Sequence, residues 1–408
     1  MSVELTIIMP CLNEAETLET CIMKARSFLD RSGIAGEIVI GDNGSTDGSI
    51  EVARRCGARV VNIPIRGYGA ALYGAVSSAS GKYCVMADSD DSYNFGKLDA
   101  FVRELRAGAD LVMGNRFLGC IEPGAMPWKN RYIGNPILSG IGRLLFRAPT
   151  RDFHCGLRAF SRDAFLRMDL RTTGMEFASE MVIKATLMGM KIVEVPATLS
   201  PDGRSRPPHL RPYRDGWRHL RFMLLFSPDW LFLYPGLLLM CAGLLLGAKL
   251  LTSPVYIKGV SLSLDTLIYS VTMIEVGFQA ILFALLSKAY AVQEGLFPKS
   301  SKPTLLDNIF KLERGIILGN ALIVIGFLLF LYVFSIWESA NFGPIDIPKV
   351  TPIVIGSSIS LSLGFEIILS SFLLSMLKLN VRTTSTMLVT NAEFESNILV
   401  SVMDTVPT

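Results

Sequence analysis

The spacing of hydrophobic and polar residues divides the chain near residue 229. Up to that point charged residues recur every few positions, whereas the rest holds long runs that are almost free of charge. A helix needs about 20 apolar residues to cross the hydrocarbon core of a bilayer. Four runs reach that length and predict four membrane-spanning helices: Trp230 to Ala248, Leu267 to Leu286, Gly315 to Trp337 and Val350 to Leu377.

Short apolar runs alternate with helical patterns in the first part of the chain. The predicted strands cover residues 5–9, 37–41, 58–63, 83–87 and 110–114. The predicted helices cover residues 15–29, 50–56, 69–80 and 97–107. Such alternation predicts an α/β fold with a mainly parallel sheet covered on both faces, in which ligands bind beyond the carboxyl ends of the strands.

Composition and charge extend this picture to the membrane. Half of the 408 residues are hydrophobic and the mean hydropathy is +0.42, which indicates a membrane protein. Residues 207–228 mix Arg and His with Trp217 and Phe222, a pattern typical of a helix that lies in the membrane interface. We therefore predict a catalytic domain at 1–203, a basic amphipathic juxtamembrane segment at 204–229, a transmembrane domain at 230–382 and a tail at 383–408.

Basic residues near the spans predict the orientation, because Lys and Arg are retained on the cytoplasmic side. Three places carry them: the segment before the first span, the second-to-third connection and the segment after the last span. The residues are Arg204, Arg206, Arg211, Arg214, Arg218 and Arg221, then Lys288, Lys299, Lys302, Lys311 and Arg314, then Lys378 and Arg382. The opposite loops offer only Lys258 and Lys349. We expect an integral protein of the cytoplasmic (inner) membrane, with the catalytic domain and both termini cytoplasmic.

Polar clusters follow four of the predicted strands. They are residues 10–14, 42–47, 88–91 and 114–116. Taken singly, the first could be a helix cap and the second a turn. Four clusters at one edge of a sheet predict a binding site.

The third cluster carries the most specific signal. Asp88 and Asp90 are one residue apart in an extended segment, so their carboxylates can converge on one hard cation. Without a cation, carboxylates about 6 Å apart repel each other. The pattern therefore predicts a Mg²⁺ or Mn²⁺ site that receives a diphosphate, with a solvated acidic turn as the alternative.

Five motifs, in this order and spacing, resemble the domain of glycosyltransferase family 2. They are "IIMPCLNEAETL", "DNGSTDGS", "RGYGAAL", "MADSDD" and "GNRF". Together with "RDFHCGLRAF" and the membrane tail, they are similar to the polyprenyl-phosphate sugar transferases, the group of the dolichyl-phosphate mannose and glucose synthases. The resemblance covers about residues 3 to 200. It implies a GT-A type fold, a nucleotide-sugar donor and a polyprenyl phosphate acceptor in a membrane, with no nucleic acid as partner.

The resemblance also implies roles for the donor side. The nucleobase and ribose would be held by Pro10, Leu12, Asn13, Glu14 and Asp42, and the glycines of "RGYGAAL", Gly67 and Gly69, would also line the donor site. Asp88 would lie near the sugar or diphosphate, and Asp90 would bind the metal. Mannose synthases of this group often have a Gln two residues past the second Asp, where this chain has Ser92. The run of Asp88 and Asp90 with Phe95, together with "RGYGAAL" and "CGLRAF", is more similar to the dolichyl-phosphate glucose synthases, and this resemblance favours UDP-glucose over GDP-mannose.

The acceptor side needs cations more than a base, because a phosphate monoester is already largely dianionic at neutral pH. The candidates are Arg116, Arg131 and Arg158, since arginine matches phosphate through its planar fork. By resemblance, Asp152 would orient Arg158 or the donor. His154 is expected to be structural, whereas Glu180 could reach the acceptor and Glu176 could equally be solvated.

Three functions remain open from the sequence. The first is inverting transfer of a hexose to polyprenyl phosphate. The second is a processive polysaccharide synthase, although the Gln-x-x-Arg-Trp motif of those enzymes does not occur in the sequence. The third is a non-catalytic membrane subunit that binds nucleotide sugar, in which Glu275 and Glu366, near the middle of two spans, would mark a polar pathway or a contact within a homo-oligomer.

Overall fold

The computed structural model describes residues 2–205, 212–252, 255–257, 260–262, 264–298 and 311–379. Two compact units form from the described parts of Met1–Leu239 with Gly277–Ser301 and of Met240–Val276 with Lys302–Thr408. Several residues on which the predictions rest lie outside the described ranges: Arg206, Arg211, Lys258, Lys299, Lys302, Arg382 and the tail 383–408.

The first unit contains a seven-stranded sheet. Its strands are β1 (Leu5–Cys11), β2 (Gly36–Asp42), β3 (Arg59–Asn62), β4 (Tyr83–Met86), β5 (Leu111–Ile121), β6 (Arg158–Ser161) and β7 (Ile192–Leu199). Their order across the sheet is β3-β2-β1-β4-β6-β5-β7. Only β6 runs antiparallel to its two neighbours, β4 and β5. The predicted mainly parallel sheet is confirmed.

Helices cover both faces of this sheet, as predicted. They are α1 (Leu18–Ser32), α2 (Ser49–Arg55), α3 (Tyr68–Ser78), α4 (Asp99–Arg106), α5 (Asn135–Phe146), α6 (Arg162–Met168), α7 (Phe177–Leu187) and α8 (Pro212–Leu225). Alternate residues of each strand enter separate cores: Ile7 and Val85 pack with α1 and α4, whereas Ile8 and Met86 pack with α3 and α7. Successive side chains of a strand point to opposite faces of the sheet. Both faces are apolar because helices cover both of them.

The sequence patterns found β1 to β5, α1 to α4 and α8 but missed β6, β7, α5 and α6. Strand β6 is four residues long and lies inside the "RDFHCGLRAF" motif, so its short apolar run was interpreted only as chemistry. Strand β7 contains Glu194 and Pro196, which weaken a strand pattern. Helix α8 confirms a helix in the segment expected to be interfacial.

Among the described residues, four helices are long and apolar enough to cross a membrane, in agreement with the predicted number. They are Asp229–Thr252, Asp265–Gln293, Leu312–Ser339 and Ile347–Leu377. The first begins with a π-helical turn, Asp229–Leu233, and continues as α9 (Tyr234–Thr252). The others are α10 (Leu264–Gln293), α11 (Leu312–Ser339) and α12 (Ile347–Leu377), and a short hairpin of β8 (Val255–Ile257) and β9 (Val260–Leu262) lies between α9 and α10.

Small residues let α11 and α12 of the second unit approach closely. A Cβ added at Gly319 would stand 2.7 Å from the carbonyl oxygen of Gly364, and the Ser357 hydroxyl donates to the carbonyl of Gly326 at 2.7 Å. This is the packing expected in lipid, where small side chains and interhelical hydrogen bonds replace the hydrophobic effect.

Candidate active site

The loops after β1 and β2 form one connected edge, because Cys11 pairs with Asp42 in the sheet. Asn13 adopts a left-handed conformation (φ 59°), and its side-chain oxygen accepts from the Thr46 N–H at 2.8 Å. In return, the Asn13 N–H donates to Ser45 Oγ at 2.9 Å. Reciprocal bonds of this kind fix both loops. Residues 10–14 and 42–47, predicted from the sequence as separate clusters, therefore lie together.

Asp42 is the last residue of β2, and its side chain stabilises the turn that follows. Its buried carboxylate accepts from the N–H groups of Gly44 at 3.0 Å and Ser45 at 3.2 Å. The neighbouring Asn43 accepts from the Gly67 N–H at 2.6 Å and donates to the carbonyl of Ile65 at 2.7 Å. The loop between β3 and α3, which contains Ile65 and Gly67, is thereby joined to the loop after β2.

Gly67 and Gly69 permit a close approach between two backbone segments. An added Cβ would lie 2.1 Å from the Thr173 carbonyl oxygen at Gly67, where φ is 141°, and 2.5 Å from the Thr172 carbonyl oxygen at Gly69. Side chains are excluded at both positions. The packing holds Tyr68 between the two glycines, where its side chain interacts with the Asp88 carboxylate.

Asp88 is half-buried at the end of β4. The backbone of Gly156 lies against it, because an added Cβ there would be 2.8 Å from Asp88 Oδ2. Burial and then the negative charge of Asp90 raise the pKa of Asp88 to about 7, although the interaction with Tyr68 and the charge of Arg204 oppose that shift. A bound divalent cation would reverse this balance in favour of the carboxylate.

Asp90 is largely buried at this edge of the sheet. Only 9% of the residue is exposed, and its Oδ1 accepts from the Ser92 hydroxyl at 2.5 Å. Its Oδ2 lies 2.6 Å from Arg204 Nη2, and Arg204 Nη1 lies 3.0 Å from Glu14 Oε1. The repulsion predicted for the acidic cluster is therefore relieved by an arginine 114 positions away. The sequence had placed Arg204 only among the juxtamembrane cations.

Arg116, in the middle of β5, forms a buried pair with Asp152. Arg116 Nε and Nη2 each lie 2.7 Å from a carboxylate oxygen of Asp152, and the Arg116 N–H donates to Oδ2 at 3.0 Å. Asp152 is fully buried and Arg116 nearly so. Asp152 thus orients Arg116, whereas we expected it to orient Arg158 or the donor.

Arg158 is not available to a phosphate in this conformation, contrary to our expectation. Its guanidinium is fully buried in β6 and donates to the carbonyls of Phe153 at 3.1 Å, Cys155 at 2.9 Å and Ala178 at 2.5 Å. These bonds hold the loop 152–158 against α7. A central strand position explains the burial, but "RDFHCGLRAF" gave no sign that a strand starts there.

Arg131 lies on a π-helical turn, Asn130–Gly134, that leads into α5. Its guanidinium is half-buried over the Tyr132 ring at 5.5 Å and makes no ion pair with the described residues. Large apolar side chains around it are exposed, including Trp128 at 64% and Ile137 at 55%. A cation available to an anion therefore lies beside an apolar surface.

Helix α8 extends that apolar surface within the first unit. Lys129 Nζ donates to the Tyr213 hydroxyl at 3.3 Å, and the exposed face of α8 carries Trp217 and Leu225. The sequence predicted only the α8 part of this surface. The π-turn and α5 were missed because their apolar positions, among Gly and Pro, gave no clear helical period.

Three other candidates have structural positions. His154 packs on His219 with ring centroids 4.6 Å apart, and burial lowers its pKa well below the usual value. Glu180 is fully buried, accepts from the N–H of Thr172 at 2.8 Å and pairs with Lys184 at 2.9 Å, so it does not face an acceptor. Glu176 lies 3.7 Å from Arg218 of α8.

The acidic residues of the edge fit a divalent cation that is bound together with a substrate phosphate. No cluster of three or more His, Cys, Asp or Glu side chains that could hold a metal is assembled in the part of the chain that the structure describes. Mg²⁺ typically takes one or two carboxylates and keeps its other positions for water and phosphate. Asp88 and Asp90 supply that number, and the Arg204 guanidinium already acts as a cation beside Asp90.

The sheet carries paired carboxylates at its carboxyl edge, and the described residues include four helices that are long and apolar enough to cross a membrane. Together they indicate a membrane-bound α/β protein. The sequence comparisons identify its family. Residues 6–168 match the model of glycosyl transferase family 2, and residues 285–378 match the glycosyltransferase family 2 C-terminal transmembrane region. The chain belongs to glycosyltransferase family 2 and is a membrane glycosyltransferase.

Two relatives and one solved structure show the extent of the similarity. The low-salt glycan biosynthesis hexosyltransferase Agl6 of Haloferax volcanii is 35% identical over 91% of this chain and 89% of its own length. The dolichyl-phosphate hexose transferase of the same organism is 30% identical over 47% of this chain and 81% of its own. Glucosyl-3-phosphoglycerate synthase from Mycobacterium tuberculosis is 24% identical, covers 55% of this chain and 78% of its own, and superimposes with a TM-score of 0.44.

Proposed function

We propose that this glycosyltransferase transfers a hexose from a nucleotide sugar, UDP-glucose in preference to GDP-mannose, to polyprenyl phosphate with inversion at the anomeric carbon. The relatives named a hexosyltransferase and a dolichyl-phosphate hexose transferase support the sugar and lipid classes. Ser92, which occupies Asp90 Oδ1 where mannose synthases often have a Gln, supports the choice of donor.

One observation carries this proposal: a single loop touches both halves of the site. Gly156 lies against the Asp88 carboxylate, and Asp152 of the same loop holds Arg116. The acidic donor side and the basic acceptor side are thereby placed next to each other. A phosphate held on the basic side can then attack a sugar whose diphosphate lies on the acidic side.

The residues would divide the work as follows. The edge of Pro10, Leu12, Asn13, Glu14 and Asp42, joined to Gly67 and Gly69, holds the nucleoside. Asp88 and Asp90 hold Mg²⁺ or Mn²⁺, which neutralises the departing diphosphate. Arg131 and the remaining N–H groups of Arg116 orient the acceptor phosphate, which needs no base because it is largely ionised at neutral pH.

A transfer assay tests the proposal. Full-length protein in nanodiscs would receive labelled UDP-glucose or GDP-mannose, polyprenyl phosphate and Mn²⁺, with EDTA as control. We expect labelled lipid, equimolar UDP and a β-linked glucosyl phosphate by NMR. Labelled polymer would indicate a processive synthase, mannosyl lipid the other donor, and the absence of any UDP release a binding subunit.

We further propose that catalysis takes place at the cytoplasmic leaflet and that the predicted divisions at residues 203, 229 and 382 separate catalytic, interfacial, membrane and tail segments. The basic residues of α8 and the aromatic residues near Arg131 support an interfacial position. Cys120 is exposed in the first unit and provides the test. A membrane-impermeant maleimide should label it in inverted vesicles and not in intact cells, with the Cys120→Ser variant as control.

A further inference from the structure

The carboxylates at the donor edge already hold a cation that belongs to the chain. Arg204 Nη2 lies 2.6 Å from Asp90 Oδ2 and 3.1 Å from Asp202 Oδ2, and Nη1 lies 3.0 Å from Glu14 Oε1. Only 9% of the arginine side chain is exposed. Charges so little exposed to water interact more strongly than surface pairs.

Main-chain bonds hold Arg204 in this position. The segment that leads from β7 to residue 205 is attached to the loop after β4, because the Ser200 N–H donates to the Ser92 carbonyl and the Gly203 N–H to the Asp90 carbonyl, both at 3.0 Å. Beyond the arginine, Ser205 donates to Glu16 through its N–H at 2.8 Å and its hydroxyl at 2.6 Å. The guanidinium is therefore fixed on both sides.

Both carboxylate oxygens of Asp90 already accept hydrogen bonds in this arrangement. Oδ1 accepts from Ser92 and Oδ2 from Arg204. A divalent cation binds a carboxylate oxygen at about 2.1 Å, so a metal on Oδ2 would stand roughly 4 Å or less from the guanidinium, and the two cations would repel each other.

We infer that Arg204 is the resident counter-ion of the metal site and that the divalent cation displaces it from Asp90. Metal loading is then an exchange of cations. The exchange releases the segment 202–205, which leads towards α8. This inference rests on the proposed function, since it takes Asp88 and Asp90 as the metal ligands.

Two consequences follow for this chain. When no metal is present, the bound arginine compensates part of the negative charge of Asp90, Glu14 and Asp202, which weakens the attraction of this edge for monovalent cations. A divalent cation brings twice the charge and can displace the guanidinium. The competition lowers the affinity for metal alone, and removal of the arginine should raise it.

A titration with Mn²⁺ alone tests the exchange in full-length protein in detergent, without nucleotide or lipid. Free Mn²⁺ would be counted by electron paramagnetic resonance. Arg204→Gln should bind Mn²⁺ about tenfold more tightly than the unchanged protein, because one competing, little-exposed charge is gone. Arg167→Gln is the matched control: Arg167 also bridges two carboxylates, Asp110 and Asp163, but its side chain is 52% exposed and Asp110 lies at the opposite end of the sheet. Equal or weaker binding by Arg204→Gln, or no binding by either protein, would overturn the inference.

A second measurement needs no variant and covers the case in which Arg204→Gln fails to fold. Trypsin cleaves after arginine but poorly before proline, and both Arg206 and Arg211 precede proline, which leaves the Arg204–Ser205 bond as the distinct cleavage site in this segment. We expect Mn²⁺ to accelerate cleavage there several-fold relative to EDTA, with no change after exposed Arg103. Unchanged cleavage at Arg204 would contradict the release.

These experiments distinguish a failure of the cation exchange from a failure of the proposed function. Neither measurement involves sugar transfer. A protein that shows the exchange but produces no glycosyl lipid would refute the proposed function and leave the exchange intact. A protein that produces glycosyl lipid, yet binds Mn²⁺ equally with and without Arg204, would refute the exchange alone.

Discussion

The acidic and basic sides of the site, which we propose to be the donor and acceptor sides, each contain their own counter-charge. On the donor side, the Asp90 carboxylate is paired with Arg204. On the acceptor side, the Arg116 guanidinium is paired with Asp152. The difference lies in how each counter-charge is attached to the fold, and it indicates which of the two a ligand can displace.

Asp152 belongs to the core, whereas Arg204 belongs to a connecting segment. Asp152 is fully buried, receives two guanidinium bonds and a backbone N–H, and lies in a loop that Arg158 fixes from behind. Arg204 lies between β7 and α8, with a partly exposed Asp202 as one of its partners. We conclude that the acceptor-side pair is a permanent part of the structure and that the donor-side pair can be exchanged.

Removal of the negative charge of Asp152, the counter-charge of Arg116, should have the largest effect, which is a loss of thermal stability. Asp152→Asn leaves Arg116 buried without a compensating charge, and the loss of one partner of a buried pair typically costs about 3–5 kcal/mol. We expect the melting temperature of the catalytic unit to fall by roughly 10 °C. Asp163→Asn, which removes an exposed partner of Arg167, is the control and should leave it nearly unchanged. An Asp152→Asn protein as stable as this control would show that the two sides do not differ as we describe.

Asp90→Asn should separate activity from stability on the donor side. An Asn can still accept from Ser92, and Arg204 retains Glu14 and Asp202, so the melting temperature should fall far less than in Asp152→Asn. Transfer should fall about 10²- to 10³-fold, the usual loss when one electrostatic stabiliser is removed. Asp91→Asn is the matched control, since Asp91 is adjacent but pairs with Lys24 at 2.6 Å. Turnover near the original rate in Asp90→Asn would remove Asp90 from the site.

Arg131→Ala should affect the acceptor alone. Its guanidinium is in no ion pair with the described residues, so no buried partner loses its counter-charge. The loss of one charge-assisted hydrogen bond should raise the KM for polyprenyl phosphate about tenfold, without a change in the KM for the nucleotide sugar or in melting temperature. Arg143→Ala, an exposed arginine on α5, is the control. A change in the donor KM instead would place Arg131 on the donor side.

The sequence located the acidic edge of the sheet better than the basic side of the site, for a physical reason. Pro10 to Glu14, Asp42 and Asp88 follow directly after strands whose apolar patterns are clear, and parallel strands bring their carboxyl ends together. Their hydrogen-bond partners are also local, as in the turn that Asp42 closes. Local pattern and tertiary position therefore agreed.

The remaining assignments depend on pairings that no local pattern contains. Asp90 and Arg204 are separated by 114 positions, and Arg116 and Asp152 by 36. Arg158 became a core residue because a short antiparallel strand, β6, is inserted between β4 and β5. Residue type and spacing predicted that these side chains carry charge, but not which of them neutralise one another.

The smallest expected effect is a dependence of metal binding on pH. It arises from Asp88, so it should be seen on the acidic side of the site and not at the Arg116–Asp152 pair. Burial and the charge of Asp90 raise the pKa of Asp88 to about 7, so a proton must leave before this carboxylate can bind a metal. The affinity for Mn²⁺ should therefore rise between pH 6 and pH 8, by about tenfold, and level off above that range.

The same raised pKa of Asp88 favours the folded metal-free protein below about pH 4, and this stabilisation is lost as the pH rises through 7. In EDTA the melting temperature should thus decline across that window, and Mn²⁺ should oppose the decline. Calorimetric titrations in two buffers of different ionisation enthalpy would measure the released proton at pH 6. An Asp88→Asn protein with the same pH dependence would show that the proton comes from another group.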